Sequence, residues 1–402
     1  MKIAILAPSH KSFISPLLSQ SSIDDLPEGY NGAPFVGILI KELLYLGHEV
    51  VAITTTVAID NDLTIKEFVN HRFKWIVIPA RKHSIRFNNG KLGRIVDFYT
   101  FERKLMAKVV LDNQPDFIHA HWSYEFAGAA LMSKLPCLIS VHDNAFQVAK
   151  YFKNTYRLGR LFMSEWLLRK VRFASTVSPY MLSYVQTRCK TVKVIPNPVS
   201  VFLSKIDVTH LIKNRLATFD SPKIIMITNG WDKLKNGKVG LLAFALIKAE
   251  FPEASLHLYG NGTEVGGLAY QDCKKIEKNG IFFHGSVTHN ALLKAISDAH
   301  VLLHTSLEES FGVVLIEAMS QGIPAIGGEK SGAVPWVIDN SDLLVDVSNP
   351  LAIKNKIIQL FDNQETYKEI ALKCYNNTLS RFSAEVIVKL YLKYYNDILK
   401  EW

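Results

Sequence analysis

The sequence predicts an α/β protein made of two doubly wound domains, and three observations carry that prediction. Short apolar runs alternate with longer amphipathic stretches from one end to the other. The chain has 402 residues, too many for one ordinary core, so two domains of roughly 200 residues follow. Midway, residues 196–222 carry prolines at both ends and little periodicity, which marks a boundary. Strands that alternate with helices form a parallel sheet, because each crossover lays a helix over the strands that it joins.

In the first half, strands are predicted at "KIAILA" (2–7), "EVVAIT" (49–54), "KWIVIPA" (74–80), "DFIHAH" (116–121), "PCLISVH" (136–142) and "VKVIPN" (192–197). Helical periodicity lies between them, as at 35–47, where Val36, Leu39, Ile40, Leu43 and Leu44 form one stripe and Gly47 serves as the C-cap. The second half repeats the pattern, with strands at 223–228, 254–260, 281–285, 300–305 and 323–328 and helices at 238–250, 266–279, 289–298 and 312–321. Three more helical stretches close the chain. The predicted domains are 1–199 and 200–382, with the last helix, 383–402, returning to the first. Ligands of doubly wound sheets bind where strand ends and helix N-termini converge, so functional residues are sought just after strands, along a cleft shared by the two domains.

Composition narrows the class. Apolar residues make up 48% and charged residues 21% of the chain, an ordinary globular balance that argues against disorder. The net charge of +9 suits an anionic partner such as a phosphate-bearing ligand, a membrane surface or nucleic acid. Cys137, Cys189, Cys273 and Cys374 are widely spaced, which suggests neither a disulfide framework nor a zinc-thiolate site and fits a reducing cytoplasm. The first apolar stretch stops at Pro8 and reads as a strand rather than a secretion signal. No window reaches the length of a spanning helix, so any membrane contact is expected to be peripheral, at the inner face of the cytoplasmic membrane.

The segment "EESFGVVLIEAMSQGIPAIG" (308–327) is the most informative. Glu309 and Glu317 stand at either end of a run that otherwise reads as core. Ser310 is placed to cap a helix that starts near Phe311, and Gly312 leaves backbone amides open to an anion. At 1.5 Å rise per residue, Glu317 falls roughly 8 to 12 Å from Glu309, a separation that suits a ribose and a sugar joined through two phosphates. Carboxylates repel phosphate but accept hydrogen bonds from sugar hydroxyls. Amides for the anion between two acids for hydroxyls is a coherent arrangement. The plainer reading makes both acids ordinary helix residues, one of them complementing a helix dipole.

"SLEESFGVVLIEAMSQGIPAIG" resembles the E-x7-E signature of retaining glycosyltransferases of family 4, which share the GT-B fold of two Rossmann-like domains facing across a cleft. The resemblance runs through nearly the whole chain in order: "GAPFVGILIKELLYLGHEV" (32–50), "PDFIHAHW" (115–122), "SVHDN" (140–144), "ASTVSPYM" (174–181), "VIPNPV" (194–199), "LYGNG" (258–262), "FFHGSV" (282–287) and "SGAVPWVI" (331–338). It implies that Glu309 holds the donor sugar, that Glu317 binds the ribose, and that amides of Phe311, Gly312 and Val313 face the sugar and distal phosphate. Lys235, in "NGWDKLKNG" (229–237), would neutralise the leaving diphosphate. An arginine common in the family is replaced by Trp231, and Lys233 is the candidate substitute, although a point charge lacks the guanidinium's two-pronged geometry. Gly32, Ala33, Gly260 and Val287 fall at the family's donor loops, and His142 beside the donor sugar.

The implied reaction moves a sugar from a UDP- or GDP-linked donor to a hydroxyl of a saccharide or lipid-linked saccharide, in cell-surface polysaccharide biosynthesis, with the anomeric configuration kept. No metal or other cofactor is expected, and no covalent glycosyl-enzyme; the leaving phosphate takes the acceptor's proton. His119 and His121 share a strand face, a spacing that with His142 and Asp143 could hold zinc. That reading leaves the other motifs unexplained, and the three residues His119, His121 and Asp143 are assigned to the acceptor side instead. The basic, aromatic segments 150–173 and 80–94 are candidates for anionic lipid headgroups; no nucleic-acid module accompanies them. A nucleotide-sugar epimerase, a phosphorylase or a non-catalytic sensor would use the same cleft.

Overall fold

The computed structural model describes residues 1–18, 23–57, 64–88, 90–200, 206–273 and 279–402. The chain forms two compact units, Met1–Pro198 with Ala384–Trp402, and Val199–Ser383. In the first, eight strands are described: β1 (Lys2–Leu6), β2 (Glu49–Thr56), β3 (Lys66–Asn70), β4 (Phe73–Pro79), β5 (Phe117–His121), β6 (Cys137–Val141), β7 (Phe173–Thr176) and β8 (Thr191–Val194), in the order β3-β4-β2-β1-β5-β6-β7-β8. All pairs are parallel except β3–β4. The second unit holds β9 (Lys223–Ile227), β10 (Ser255–Tyr259), β11 (Ile281–Gly285), β12 (Val301–His304), β13 (Ala325–Gly328) and β14 (Leu344–Val345), a parallel sheet ordered β11-β10-β9-β12-β13-β14.

The central strands are apolar along their length because helices cover both faces; in β1 Ile3, Ala4, Ile5 and Leu6 are all buried. Three strands carry no such signal in the sequence. β3 is a half-exposed antiparallel edge with two charges and an asparagine in five residues. β7 is short and buries Ser175 and Thr176, the former bonded to Ser140 Oγ at 2.6 Å. β14 has two residues.

Several helix bounds differ from the sequence prediction. The helix expected over 35–47 runs Pro34–Tyr45 and ends on Leu46. Gly47 lies one residue beyond that cap at φ +89°. Its amide donates to Leu44 O at 3.1 Å and that of His48 to Leu43 O at 3.0 Å, which closes the last turn. The predicted boundary stretch contains a helix, Val208–Leu216, capped by Asp207 and buried through Val208, Ile212 and Arg215. Residues 201–205 of that stretch lie outside the described residues, as do 274–278 of the helix expected over 266–279, which is described over Leu268–Asp272. The last helix, Ala384–Glu401, belongs to the first unit. Its Tyr395 stacks on Phe117 of β5 with ring centroids 4.4 Å apart.

The strand order of the second sheet reverses between β9 and β12, which are neighbours although two strands and their helices separate them in sequence. The crevice beyond the carboxyl ends of such a pair is where doubly wound sheets bind ligands. The turn after β10 supports it. Gly260 has φ +109°, and a Cβ there would stand 1.7 Å from Thr228 O at the end of β9. Gly260→Ala should therefore cost about 2 kcal/mol or more, a fall in melting temperature of about 5 °C. Unchanged melting by calorimetry would show that the turn relaxes without that approach.

Candidate functional site

Lys235 lies in the loop after β9 and Glu309 in the loop after β12, and the neighbouring strands bring the two together. Lys235 Nζ is 2.6 Å from Glu309 Oε1. Backbone and side-chain bonds tie the loops to each other: Leu307 N donates to Leu234 O at 2.9 Å, and Thr305 Oγ1 to Lys235 O at 2.8 Å. Asp232 Oδ1 accepts from the amides of Leu234 and Lys235 and so shapes the lysine's own turn. On the far side, Ala333 N donates to Glu309 O at 2.9 Å. His304, the last residue of β12, places Nε2 3.5 Å from Glu309 Oε1. Burial pushes the Glu309 carboxyl up, but Lys235 and His304 outweigh it and hold the group well below the usual carboxylate range.

Between the two acids the helix runs Val313–Met319 rather than from Phe311. Ser310 is not its cap: Gly312 takes the N-cap position at φ +85°, and no side-chain bond caps the helix. A side chain at 312 would also meet Leu315 Cδ1 at 2.8 Å. Phe311 is buried edge-on against Phe382, with centroids 5.5 Å apart, and so anchors the turn whose amide the family resemblance gives to a phosphate. Val313 opens the helix and is half-buried. Glu317 is 7% exposed, which rules out an ordinary solvated helix position. Its Oε1 is 2.6 Å from His289 Nε2.

Of the other donor candidates in this unit, Gly260 lies in the turn after β10, Val287 is exposed after β11, and Lys233 is exposed. Trp231 does not stand in for a cation. Its Nε1 donates to Asp272 Oδ2 at 2.9 Å, and its ring lies over Gly237, where a Cβ would meet it at 2.4 Å.

In the first unit, Gly32 and Ala33 form a left-handed turn, at φ +117° and +58°, before Pro34 starts a helix. A Cβ on Gly32 would meet nothing within 4 Å, so the turn is open there. His119 does not face an acceptor. It is wholly buried, with Nδ1 2.6 Å from Tyr395 Oη and Nε2 2.6 Å from Ser140 Oγ, and it belongs to the core between β5, β6 and the last helix. His121 is equally buried, and its Nδ1 shares a hydrogen bond with His142 Nε2 at 2.9 Å. Burial pushes His121 down to about 3 and His142 well below the ordinary histidine value, so both rings are neutral. Asp143 accepts from Tyr124 Oη at 3.1 Å, and burial raises its carboxyl despite the nearby Arg160.

Part of the basic surface read from segments 150–173 and 80–94 is internal. Arg160 is buried, with its guanidinium 3.5 Å from the Tyr124 ring centroid and 3.3 Å from Glu125 Oε2. Arg81 is buried between Asp97 and Glu102. Trp166 is 39% exposed. Asn89 lies outside the described residues. No helix among the described residues is long and apolar enough to cross a membrane.

Sequence reasoning missed His289 and His304. A lone histidine after a strand or at a helix start carries no motif; only the carboxylate that each meets in space shows its use. Among the described residues, no group of three or more His, Cys, Asp or Glu side chains could hold a metal ion. The sequence's Asp-x-Asp spacing, Asp60 and Asp62, lies outside the described residues.

Known proteins resemble the chain in sequence and in fold. Residues 34–201 match the family described as Glycosyltransferase Family 4, and residues 209–376 match Glycosyl transferases group 1. The chain is 27% identical over 312 residues to the N-acetyl-alpha-D-glucosaminyl L-malate synthase of Bacillus anthracis, covering 74% of this chain and 78% of that one. It is 29% identical over 144 residues to the poly(ribitol-phosphate) alpha-N-acetylglucosaminyltransferase of Staphylococcus aureus, covering 35% and 29%. Sucrose-phosphate synthase from Thermosynechococcus elongatus superposes over 100% of both chains with a TM-score of 0.73 at 18% identity. The Anabaena protein HepE in complex with UDP superposes with a TM-score of 0.68 at 16% identity, over 99% of this chain and 100% of that one.

The His289–Glu317 pair has a measurable signature. Burial lowers the His289 imidazolium, but the hydrogen bond and charge of Glu317 outweigh it and raise the group above 6.5. A raised folded value means that the stabilisation is complete below about pH 6.5 and is lost as pH rises through the folded value. In Glu317→Gln only burial remains, so the His289 midpoint, followed by NMR, should fall below 6.5. A midpoint that stays put would show that the carboxylate does not govern the ring.

Proposed function

The chain belongs to the GT-B glycosyltransferases of family 4 (glycosyl transferases group 1), and from that premise we propose that it transfers a sugar from a nucleotide diphosphate to an acceptor hydroxyl with the anomeric configuration kept. The observation that carries the reading is the Lys235–Glu309 pair at the strand-order reversal of the second sheet. A cation there meets a diphosphate, and an acid held ionised meets the hydroxyls of the sugar attached to it. Glu317 takes the ribose hydroxyls and His289 keeps its carboxylate in place. Gly32, Ala33 and His142 are proposed donor contacts on the strength of the family resemblance.

As the glycosidic bond breaks, negative charge grows on the leaving diphosphate. Once the donor is bound, Lys235 and the amides of Phe311, Gly312 and Val313 meet that charge without further reorganising, which is the most effective kind of transition-state stabilisation. The leaving phosphate then takes the acceptor's proton on the same face. This scheme uses no bridging metal, so turnover should survive EDTA. UDP is the preferred nucleotide, since one protein of similar fold, the Anabaena protein HepE, is bound to UDP in one structure and to UDP-glucose in another. The acceptor is a hydroxyl of a saccharide or lipid-linked saccharide. The glycosyltransferases of ribitol-phosphate and glycerol-phosphate polymers among the relatives support that class. The exposed aromatics Phe146, Phe152 and Phe162, set among lysines and arginines, would bring the enzyme to a membrane surface.

A thermal-shift panel of UDP, GDP, ADP and their sugars tests the donor. One diphosphate should raise the melting temperature, and Lys235→Ala should abolish the shift; an equal shift in the variant removes the lysine from the phosphates. Glu309→Gln should lower turnover about 100-fold without weakening nucleotide binding, and equal losses in both would contradict its role. Incubation with the donor alone separates the classes: slow hydrolysis supports a transferase, 2-epimer formation an epimerase, and binding without turnover a sensor.

A further inference from the structure

Lys235 and His304 converge on one oxygen of Glu309, and only the lysine lies at an ordinary hydrogen-bond length. Lys235 Nζ is 2.6 Å from Oε1, while His304 Nε2 is 3.5 Å from the same atom. His304 is 5% exposed, and its Nε2 is buried without a hydrogen-bond partner. An orphaned polar atom at that depth is uncommon and calls for an explanation. The carboxylate oxygen that it faces accepts from Lys235 at the shorter distance, and the ring stands just beyond hydrogen-bond length.

We propose that His304 is a positioning residue that takes over Glu309 when Lys235 turns to the donor's diphosphate. This inference rests on the reading of Lys235 as the diphosphate's cation. In the donor-free site the lysine neutralises the acid. A diphosphate carries more charge than a carboxylate and draws the lysine away, which would leave Glu309 ionised, largely buried and unpaired. Such a group is costly to hold. A shift of His304 Nε2 by about 0.7 Å brings it to an ordinary N–H···O length. No proton has to move, because the neutral ring with hydrogen on Nε2 is a sufficient donor. The carboxylate thus stays charged and oriented toward the sugar while the cation serves the leaving group. Position 304 suits this role because it ends a buried strand next to β9 and β13. Its backbone is fixed there, and only the ring needs to turn.

The device predicts a coupling that a packing role would not produce. His304 matters to nucleotide binding only while residue 309 is a carboxylate that competes for the lysine. UDP affinity measured by calorimetry across wild type, His304→Leu, Glu309→Gln and the double variant reads it directly. His304→Leu should weaken UDP about tenfold in the wild-type background and by less than about twofold beside Glu309→Gln. His304→Gln, which keeps a donor, should recover most of the loss. Equal losses in both backgrounds would reduce His304 to packing, and no loss in either would remove the hand-over. The carboxyl carbon of Glu309, followed by NMR in the UDP complex, gives a reading independent of affinity. It should remain ionised at pH 7 in wild type and take up a proton more readily in His304→Leu; identical titrations would overturn the inference. If Lys235→Ala binds UDP as tightly as wild type, the assignment of the lysine itself fails, a result distinct from any of these.

Discussion

The contact between Lys235 and Glu309 is the constraint on which the second unit's site depends. Neither residue lies in a regular element; each sits on a loop that follows a strand. What makes their separation of 2.6 Å reproducible is the pair of straps beneath them, Leu307 N to Leu234 O and Thr305 Oγ1 to Lys235 O. The adjacency of β9 and β12 makes those straps possible. Fold and electrostatics are coupled here: the sheet order fixes the loops, the loops fix the ion pair, and the ion pair keeps an acid ionised against the opposing effect of burial.

The same solution occurs a second time. Glu317, on the buried side of the short helix, is met by His289 from the start of the helix after β11. Each acid of the E-x7-E spacing therefore has its own cationic partner from another strand-to-helix connection. The spacing alone gives two carboxylates; the sheet gives each of them a partner. Gly312 between them is held at a positive φ with its side-chain space filled by Leu315, so the backbone turn is fixed as firmly as the side chains.

Charge elsewhere behaves differently from its sum in the sequence. The net +9 suggests a broad basic surface, yet Arg81, Arg103, Arg160 and Arg215 are buried. Arg81 and Arg160 meet acids, while Arg215 donates to Gln321 O and Arg103 lies 5.2 Å from the Trp166 ring centroid. Guanidinium groups tolerate this because their planar donors can be shared among carboxylates, carbonyls and rings. The histidines of β5 are a related case. His119 is a core residue that satisfies Tyr395 and Ser140, and His121 binds His142 through a neutral imidazole pair.

The sequence by itself determined the two-domain α/β class, most central strands and the Glu309–Glu317 spacing, while Lys235 came from the family resemblance. These depend on local patterns: a buried strand needs a continuous apolar run, and a helix needs its own period. The half-exposed edge β3 and the Ser- and Thr-bearing β7 lack such a run, and they become legible only once their neighbours are in place. Only the tertiary structure decided the true start of the helix at Val313, the burial of His119, and the carboxylates that His289 and His304 meet. A residue's charge state and partner depend on groups far away in the chain, 28 residues for Glu317 and His289, 74 for Glu309 and Lys235. No local pattern encodes that distance; the order of strands in the sheet closes it.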